Sequence, residues 1–474
     1  MKIPNILAER YASSEMQEIW SPEGKILYER MLWISVLKAQ KDQGIQVSEG
    51  AIEAYESVLN QIHLDSIQKR EAATRHDVKA RIEEFCALAG YEEIHRGMTS
   101  RDLTENVEQL QIYKSLQVVQ KKCCATLMAL SRRAAEYLNV VITARTHNVP
   151  AQPTSMGKRI AMFGEELLQA ARQLDFLVES YPVRGLKGAV GTQLDLQTLG
   201  GSHSGFATEV EERMLENLGI KHKYNAVGQV YPRSLDHAIV SSLVTVASGP
   251  SNLARSLRLM AGHETASEGF APGQTGSSAM PHKMNSRSCE RVNGFLVLLR
   301  GYEAMTAGLA GDQWHEGDVS CSVVRRVALP DAFFAIDGMF ETFLTVLSQM
   351  EIYPSMIEAE NEHYFPFLSS TTLLMEAVRA GAGREAAHKA IKKHAVEVVK
   401  DMREGKISEN NLAGRLGQDS DFPLDTDAIE DIIRSASTLT GAAQKQVHTF
   451  EKSVHEHLCT HNPEWARYRP APIL

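Results

Sequence analysis

Apolar residues recur every three or four positions along extended stretches of this chain. From Leu103 they fall at Val107, Leu110, Tyr113, Leu116, Val119, Cys123, Leu127 and Leu130, the spacing of one face of an α-helix. A second stripe runs Val292, Phe295, Leu299, Tyr302 and Met305, and a third Val240, Leu243, Val246, Leu253, Leu257 and Met260. The first is longer than an ordinary globular helix and predicts a bundle member. Proline placement agrees. None occurs between Pro22 and Pro150, between Pro281 and Pro330, or between Pro366 and Pro423, and a proline inside a helix costs about 3 kcal/mol. Strand signals are weak and no hairpin is read. Short strands are expected only around Val183–Val190, where Gly185 and Gly188 break any helix. The chain therefore reads as mainly α, in three regions: 1–105, 106–350 with the long stripes, and 351–474 with shorter helices and polar turns. Long helices with stripes on more than one side must be covered by something, so a bundle assembled from several copies of the chain is expected.

Composition narrows the class. A length of 474 residues suggests two to four domains or one extended one. The net charge of −9 argues against a general nucleic-acid binder, which carries a basic face, but a few placed cations still suit a small anionic substrate. The six cysteines form no C-x-x-C pair, so no zinc ribbon or redox motif is supported and reduced, buried thiols are expected. The N-terminal apolar run meets Glu9 and Arg10 too soon for a signal segment, and no run approaches the ~18 apolar residues of a membrane span. A cytoplasmic protein without membrane or nucleic-acid partners is expected.

Four segments carry candidate chemistry. Ser267–Asn285 holds Gly269, Pro272, Gly273, Gly276, a Ser-Ser pair, Pro281 and Lys283, a composition that reads as a long functional loop. It runs into the stripe that follows, so its serines are expected near a helix N-terminus, where N–H groups favour negative charge. In Ala144–Thr154, Asn148, Pro150 and Pro153 break a helix after Arg145 and present His147, a residue suited to proton transfer near neutral pH. Arg75-His76-Asp77 sets an imidazole beside a carboxylate, although neighbours on a helix do not face each other. In Gly97–Asp102, Thr99 or Ser100 can cap the long helix, and the same hydroxyls and open N–H groups can hold a carboxylate. There is no H-E-x-x-H, Walker loop, G-x-G-x-x-G or G-x-S-x-G, so zinc proteolysis, NTP hydrolysis, hydride transfer and serine-hydrolase chemistry have no support.

The loop Gly276-Ser277-Ser278-Ala279-Met280-Pro281-His282-Lys283-Met284-Asn285 resembles the signature of the fumarase/aspartase superfamily, with Ser286 where proline is usual. Arg10-Tyr11, Ser14-Glu15-Met16, Arg75-His76-Asp77, Thr146-His147, Pro150–Thr154, Gly185–Thr192 and Ala377–His388 are similar to the branch acting on adenylosuccinate. The likeness runs from about residue 9 to 450. It implies a three-domain fold whose central long-helix bundle forms the core of a homotetramer, with active sites built from three chains. It implies β-elimination of fumarate from adenylosuccinate and from SAICAR, without metal or organic cofactor. On it Ser277 matches the general base and His147 the general acid, with Glu290 orienting that histidine. His76 and Asp77 match an essential pair near the substrate. Lys283, Asn285, Thr99, Ser100 and Gln229 match contacts to the succinyl part. Arg10, Tyr11, Arg291, Ser322 and Arg326 match nucleotide and phosphate contacts, and Arg75, Ser278 and Met284 are carried with the substrate contacts. Gly317 stands where some relatives have arginine, and Arg325 is the expected substitute. The rival readings are another fumarate-releasing member, such as argininosuccinate lyase, or a non-catalytic crystallin-like protein.

Overall fold

The computed structural model describes residues 3–270, 273, 277 and 279–471. The three stripes lie on helices. Ser100–Glu136 is 37 residues long, and Ser234–Gly262 and Arg287–Ala307 carry the other two. With Met156–Glu179 and Cys321–Gln349 they form a bundle in which Ser234–Gly262 packs on both Met156–Glu179 and Arg287–Ala307. Stripe residues such as Leu103, Leu116, Leu243 and Val292 are fully buried. Among the described residues no helix is long and apolar enough to cross a membrane.

Proline turned out to be a poor guide to where the long helices end. Pro250 lies inside Ser234–Gly262 and Pro330 inside Cys321–Gln349. Each is flanked by buried residues, Ser251 and Leu253 in one case and Leu329 and Ala332 in the other. Burial along whole faces outweighs the local cost of about 3 kcal/mol.

The expected break after Arg145 is a β-hairpin instead. Val141–Thr146 pairs antiparallel with Val149–Ser155, Thr146 opposite Val149. His147 and Asn148 form the two-residue turn, both with positive φ, 53° and 62°. This is the backbone sign that a tight hairpin turn demands, and asparagine tolerates it. Around Val183–Val190 only Pro182–Val183 is a strand, parallel to His222–Lys223.

The boundary at 105 falls inside the Ser100–Glu136 helix, and one apolar core runs from Leu7 through Ile357. Val447, Phe450 and Val454 of the C-terminal helix Ala443–Leu458 return to that core. Leu373 through Ile429 pack as a separate small core.

Candidate active site

The signature loop leads into the Arg287–Ala307 helix, and the residues around that junction line one cavity of about 970 Å³. Lys283, Met284, Asn285 and Glu290 face it with Arg255, Arg258, Ser267 and Tyr353. The Met280 N–H donates to Ser277 Oγ at 3.1 Å, and the Lys283 N–H donates to the Met280 carbonyl at 2.9 Å. Ser277 thus already has one donor on its oxygen. The Lys283 side chain has no ion-pair or hydrogen-bond partner among the described residues. Ser278 lies outside the described residues.

The helix N-terminus itself differs from expectation. Glu268, buried at the start of the loop, accepts the N–H groups of Ser288 at 3.0 Å and Cys289 at 2.8 Å. A carboxylate of the chain occupies the positive end of the helix. Sequence reading missed Glu268 because its partners lie twenty residues on, beyond any capping spacing.

A second group gathers cations. Arg291, one turn into the same helix, stands 5.3 Å over the Tyr11 ring, and Arg10 lies 6.0 Å from that ring. Burial lowers the Arg291 pKa, and the nearby charges of Arg10 and Arg287 push it the same way. Three guanidinium groups thus lie near one another and make this part of the chain locally positive. Tyr11 meets Phe295 edge-on at 5.3 Å and lies against Gly338, where an added Cβ would come within 2.7 Å of the Tyr11 Cβ. Beyond Tyr11 the chain is pinned by Asp337, which accepts the Ser13 N–H at 2.6 Å and pairs with buried Lys122.

The third group surrounds the start of the Ser100–Glu136 helix. Asp102 Oδ2 accepts the N–H of Thr99 at 2.8 Å and its hydroxyl at 3.1 Å. Its Oδ1 takes Arg184 at 2.6 Å and the N–H groups of Lys187 and Gly188 at 2.8 and 3.0 Å. Thr99 is the N-cap, and the N–H groups of Ser100 and Arg101 have no acceptor among the described residues. His76 caps a neighbouring helix, its Nδ1 3.4 Å from the Lys79 nitrogen and 3.6 Å from Asp77 Oδ1. With Nδ1 accepting, the proton of a neutral His76 sits on the exposed Nε2. Asp77 is held by Arg81 at 3.0 Å and has a lowered pKa, because these favourable contacts outweigh its burial. Arg75 ends the preceding helix at φ 53°. Sequence reading passed over His95, which accepts from Trp33 Nε1 at 3.0 Å. Burial pushes its pKa down to about 4, against the pull of Asp102 and with the help of His76.

Other expected residues stand apart within one chain. His147 sits exposed at the hairpin tip, with no side-chain partner among the described residues. Glu290 faces Arg258 at 3.9 Å rather than His147. Gln229 is half-buried, its N–H donating to the Glu316 carbonyl at 2.7 Å. Arg326 is exposed and Ser322 half-buried at the start of Cys321–Gln349.

The expectation for Arg325 is corrected. Its guanidinium is buried and every nitrogen has a partner: Nε bonds Asp236 at 2.8 Å, Nη1 bonds Glu108 at 2.6 Å, and Nη2 bonds the Tyr231 hydroxyl. Each of its three nitrogens already bonds a group of this buried network, so the side chain is held away from solvent and from a phosphate. Gly317 is also more than a missing arginine. Its φ is 118°, and an added Cβ would meet Val230 Cγ2 at 2.6 Å. Gly317→Ala is therefore expected to cost about 1–3 kcal/mol in urea unfolding, and unchanged stability would contradict this.

The chain's relatives agree on its identity. A family profile described as "Lyase" matches residues 9–301, and one described as "Adenylosuccinate lyase C-terminus" matches residues 366–450. The adenylosuccinate lyase of Saccharomyces cerevisiae is 32% identical over 94% of this chain and 93% of its own length. That of Schistosoma mansoni is 30% identical over 94% and 93%. The fold is shared with the 3-carboxy-cis,cis-muconate lactonizing enzyme of Pseudomonas putida, at a TM-score of 0.82 and 18% identity, covering 96% of this chain and 99% of that one. It is shared also with a fumarate lyase of Mesorhizobium sp. BNC1, at a TM-score of 0.79 and 18% identity, covering 94% and 99%. The likeness over almost the whole length, at both ends of the chain, places this protein in the adenylosuccinate lyase family.

Proposed function

We propose that this chain is a C–N lyase that eliminates fumarate from adenylosuccinate, giving AMP, and from SAICAR, giving AICAR. The observation that carries this reading is the placement, at one junction, of cations with no ion-pair partner among the described residues. Lys283 lies in the loop just before the Arg287–Ala307 helix and Arg291 lies one turn inside it, against Tyr11 and Arg10. A substrate with dicarboxylate at one end and phosphate at the other matches this charge pattern.

In the proposed reaction Ser277 removes the proton from the carbon next to a substrate carboxylate. The Met280 N–H on its oxygen and the Lys283 charge lower the cost of the alkoxide. Lys283 then faces the aci-carboxylate that forms. The electron pair then forms the C=C bond of fumarate as the C–N bond breaks, and His147 gives its proton to the leaving nitrogen, so the amine departs neutral. Thr99, Ser100 and Gln229 bind the succinyl part, helped by the open N–H groups of Ser100 and Arg101. His76 and Asp77 border it. Arg10, Arg291, Ser322 and Arg326 take the phosphate. The chemistry so described draws on the chain's own side chains and backbone N–H groups.

A homotetramer in the cytoplasm follows from the same reading. No contact joins His147, Glu290 and the Thr99–Ser100 turn among the described residues of one chain, so in this reading neighbouring copies complete the site. The bundle helices expose apolar side chains that a partner would cover, among them Val323, Val327, Val297 and Leu259.

The test is direct. Purified protein is given adenylosuccinate, SAICAR or argininosuccinate, and fumarate is measured. Release from the first two supports the reading; release from argininosuccinate alone overturns it.

A further inference from the structure

Away from the signature loop, three metal-ligating side chains converge from distant parts of the chain. Cys124 belongs to the Ser100–Glu136 helix, His457 to Ala443–Leu458, and His461 follows that helix. The Cys124 sulfur and one ring nitrogen of each histidine lie within 4.8 Å of one another. Asp175, on Met156–Glu179, backs both rings: Oδ1 is 3.1 Å from His461 Nε2 and Oδ2 is 3.6 Å from His457 Nδ1. Gln120 Nε2 holds that carboxylate at 2.8 Å. With Nδ1 turned to Asp175, Nε2 of His457 remains buried with no hydrogen-bond partner among the described residues, on a residue only 7% exposed.

We propose that Cys124, His457 and His461 form a site for a divalent transition-metal ion of the zinc type, oriented by Asp175. A buried polar nitrogen without a partner is destabilising, and a metal ion would engage its lone pair. One thiolate and two imidazoles are a borderline-soft donor set that suits zinc. A carboxylate against the far nitrogen of a ligating histidine is the usual outer support. Thiolate and Asp175 together balance a 2+ charge. Tetrahedral zinc sets its sulfur and nitrogen donors about 3.3–3.6 Å apart, so the donors close by roughly 1 Å. His461 keeps Asp175 on Nε2, and Nδ1, now 3.1 Å from the His457 carbonyl and 3.0 Å from the Thr460 hydroxyl, gives up those contacts for the ion. A pocket of about 460 Å³ beside Gln120, Asp175 and His461 gives a way in. The site joins the C-terminal helix to the central bundle as a clip.

Untagged full-length protein, stripped of metal, is titrated with Co(II) and then with Zn(II). One equivalent per chain is expected, with a thiolate-to-Co(II) charge-transfer band that Zn(II) displaces and a Tm raised by Zn(II). Cys124→Ser and His461→Ala each weaken binding by more than the ~10–100-fold typical of outer-shell partners. Cys459→Ser, whose sulfur instead lies 3.6 Å from His455 Nε2, leaves it unchanged. His461 is on the solvent side, so its variant folds even where the Cys124 variant does not. Full affinity in His461→Ala, or loss of the thiolate band in Cys459→Ser, overturns the site.

Discussion

His147→Gln is expected to lower kcat on adenylosuccinate by about 10²–10⁴-fold while KM changes little. The expectation rests on where the negative charge goes. Unless it is protonated, the leaving nitrogen departs as an anion, and an imidazole near neutral pH is matched to that transfer. Glutamine can hydrogen-bond the substrate but cannot give up the proton. The position also isolates chemistry from stability. His147 is exposed at the tip of a two-residue turn, without a side-chain partner among the described residues. Its replacement should therefore leave stability within about 0.5 kcal/mol. Ser277→Ala should behave in the same way for the other proton. Because the two residues are proposed to meet only across subunits, mixed tetramers of the two inactive variants should regain activity. Near-normal kcat in either variant would sink its assigned role, and no recovery on mixing would count against a shared site.

Arg325→Met should have the opposite profile: a large loss of stability and no specific loss of phosphate binding. The change leaves Asp236 and Glu108 facing each other's charge without the guanidinium that bridges them. Removing one partner from a buried ion network costs about 3–5 kcal/mol. At about 2.1 cal/mol/K of unfolding entropy per residue, a cooperative unit of this length loses roughly 3–5 °C in Tm. Pairing the change with Asp236→Asn should recover part of that loss, since it removes one orphaned charge. A phosphate ligand would behave differently: KM would rise many-fold and Tm would hold. That pattern in Arg325→Met would restore the phosphate role and refute the structural one. Arg326→Met is the matched control, since its exposed side chain makes no ion pair among the described residues and its loss should raise KM with Tm unmoved.

The sequence by itself determined the helices and the superfamily. Stripe spacing located the Ser100–Glu136, Ser234–Gly262 and Arg287–Ala307 helices, because a buried face must repeat every three to four residues whatever it packs on. The Ser277–Asn285 loop was legible because glycine, proline and serine in that density defeat regular structure. Other features needed the tertiary structure. Hairpin strands rich in proline and polar residues carry no alternating pattern, and Val141–Ser155 is held in part by Asn361 of a distant helix, whose amide donates to the Val141 carbonyl at 2.9 Å. Prolines 250 and 330 stayed within helices because burial along whole faces outweighs one lost hydrogen bond. Glu268 on the helix N-terminus, Arg325 among buried carboxylates, and the meeting of Cys124 with His457 and His461 join residues far apart in the chain. Such pairings depend on which surfaces the packed helices bring together, and no local spacing encodes them.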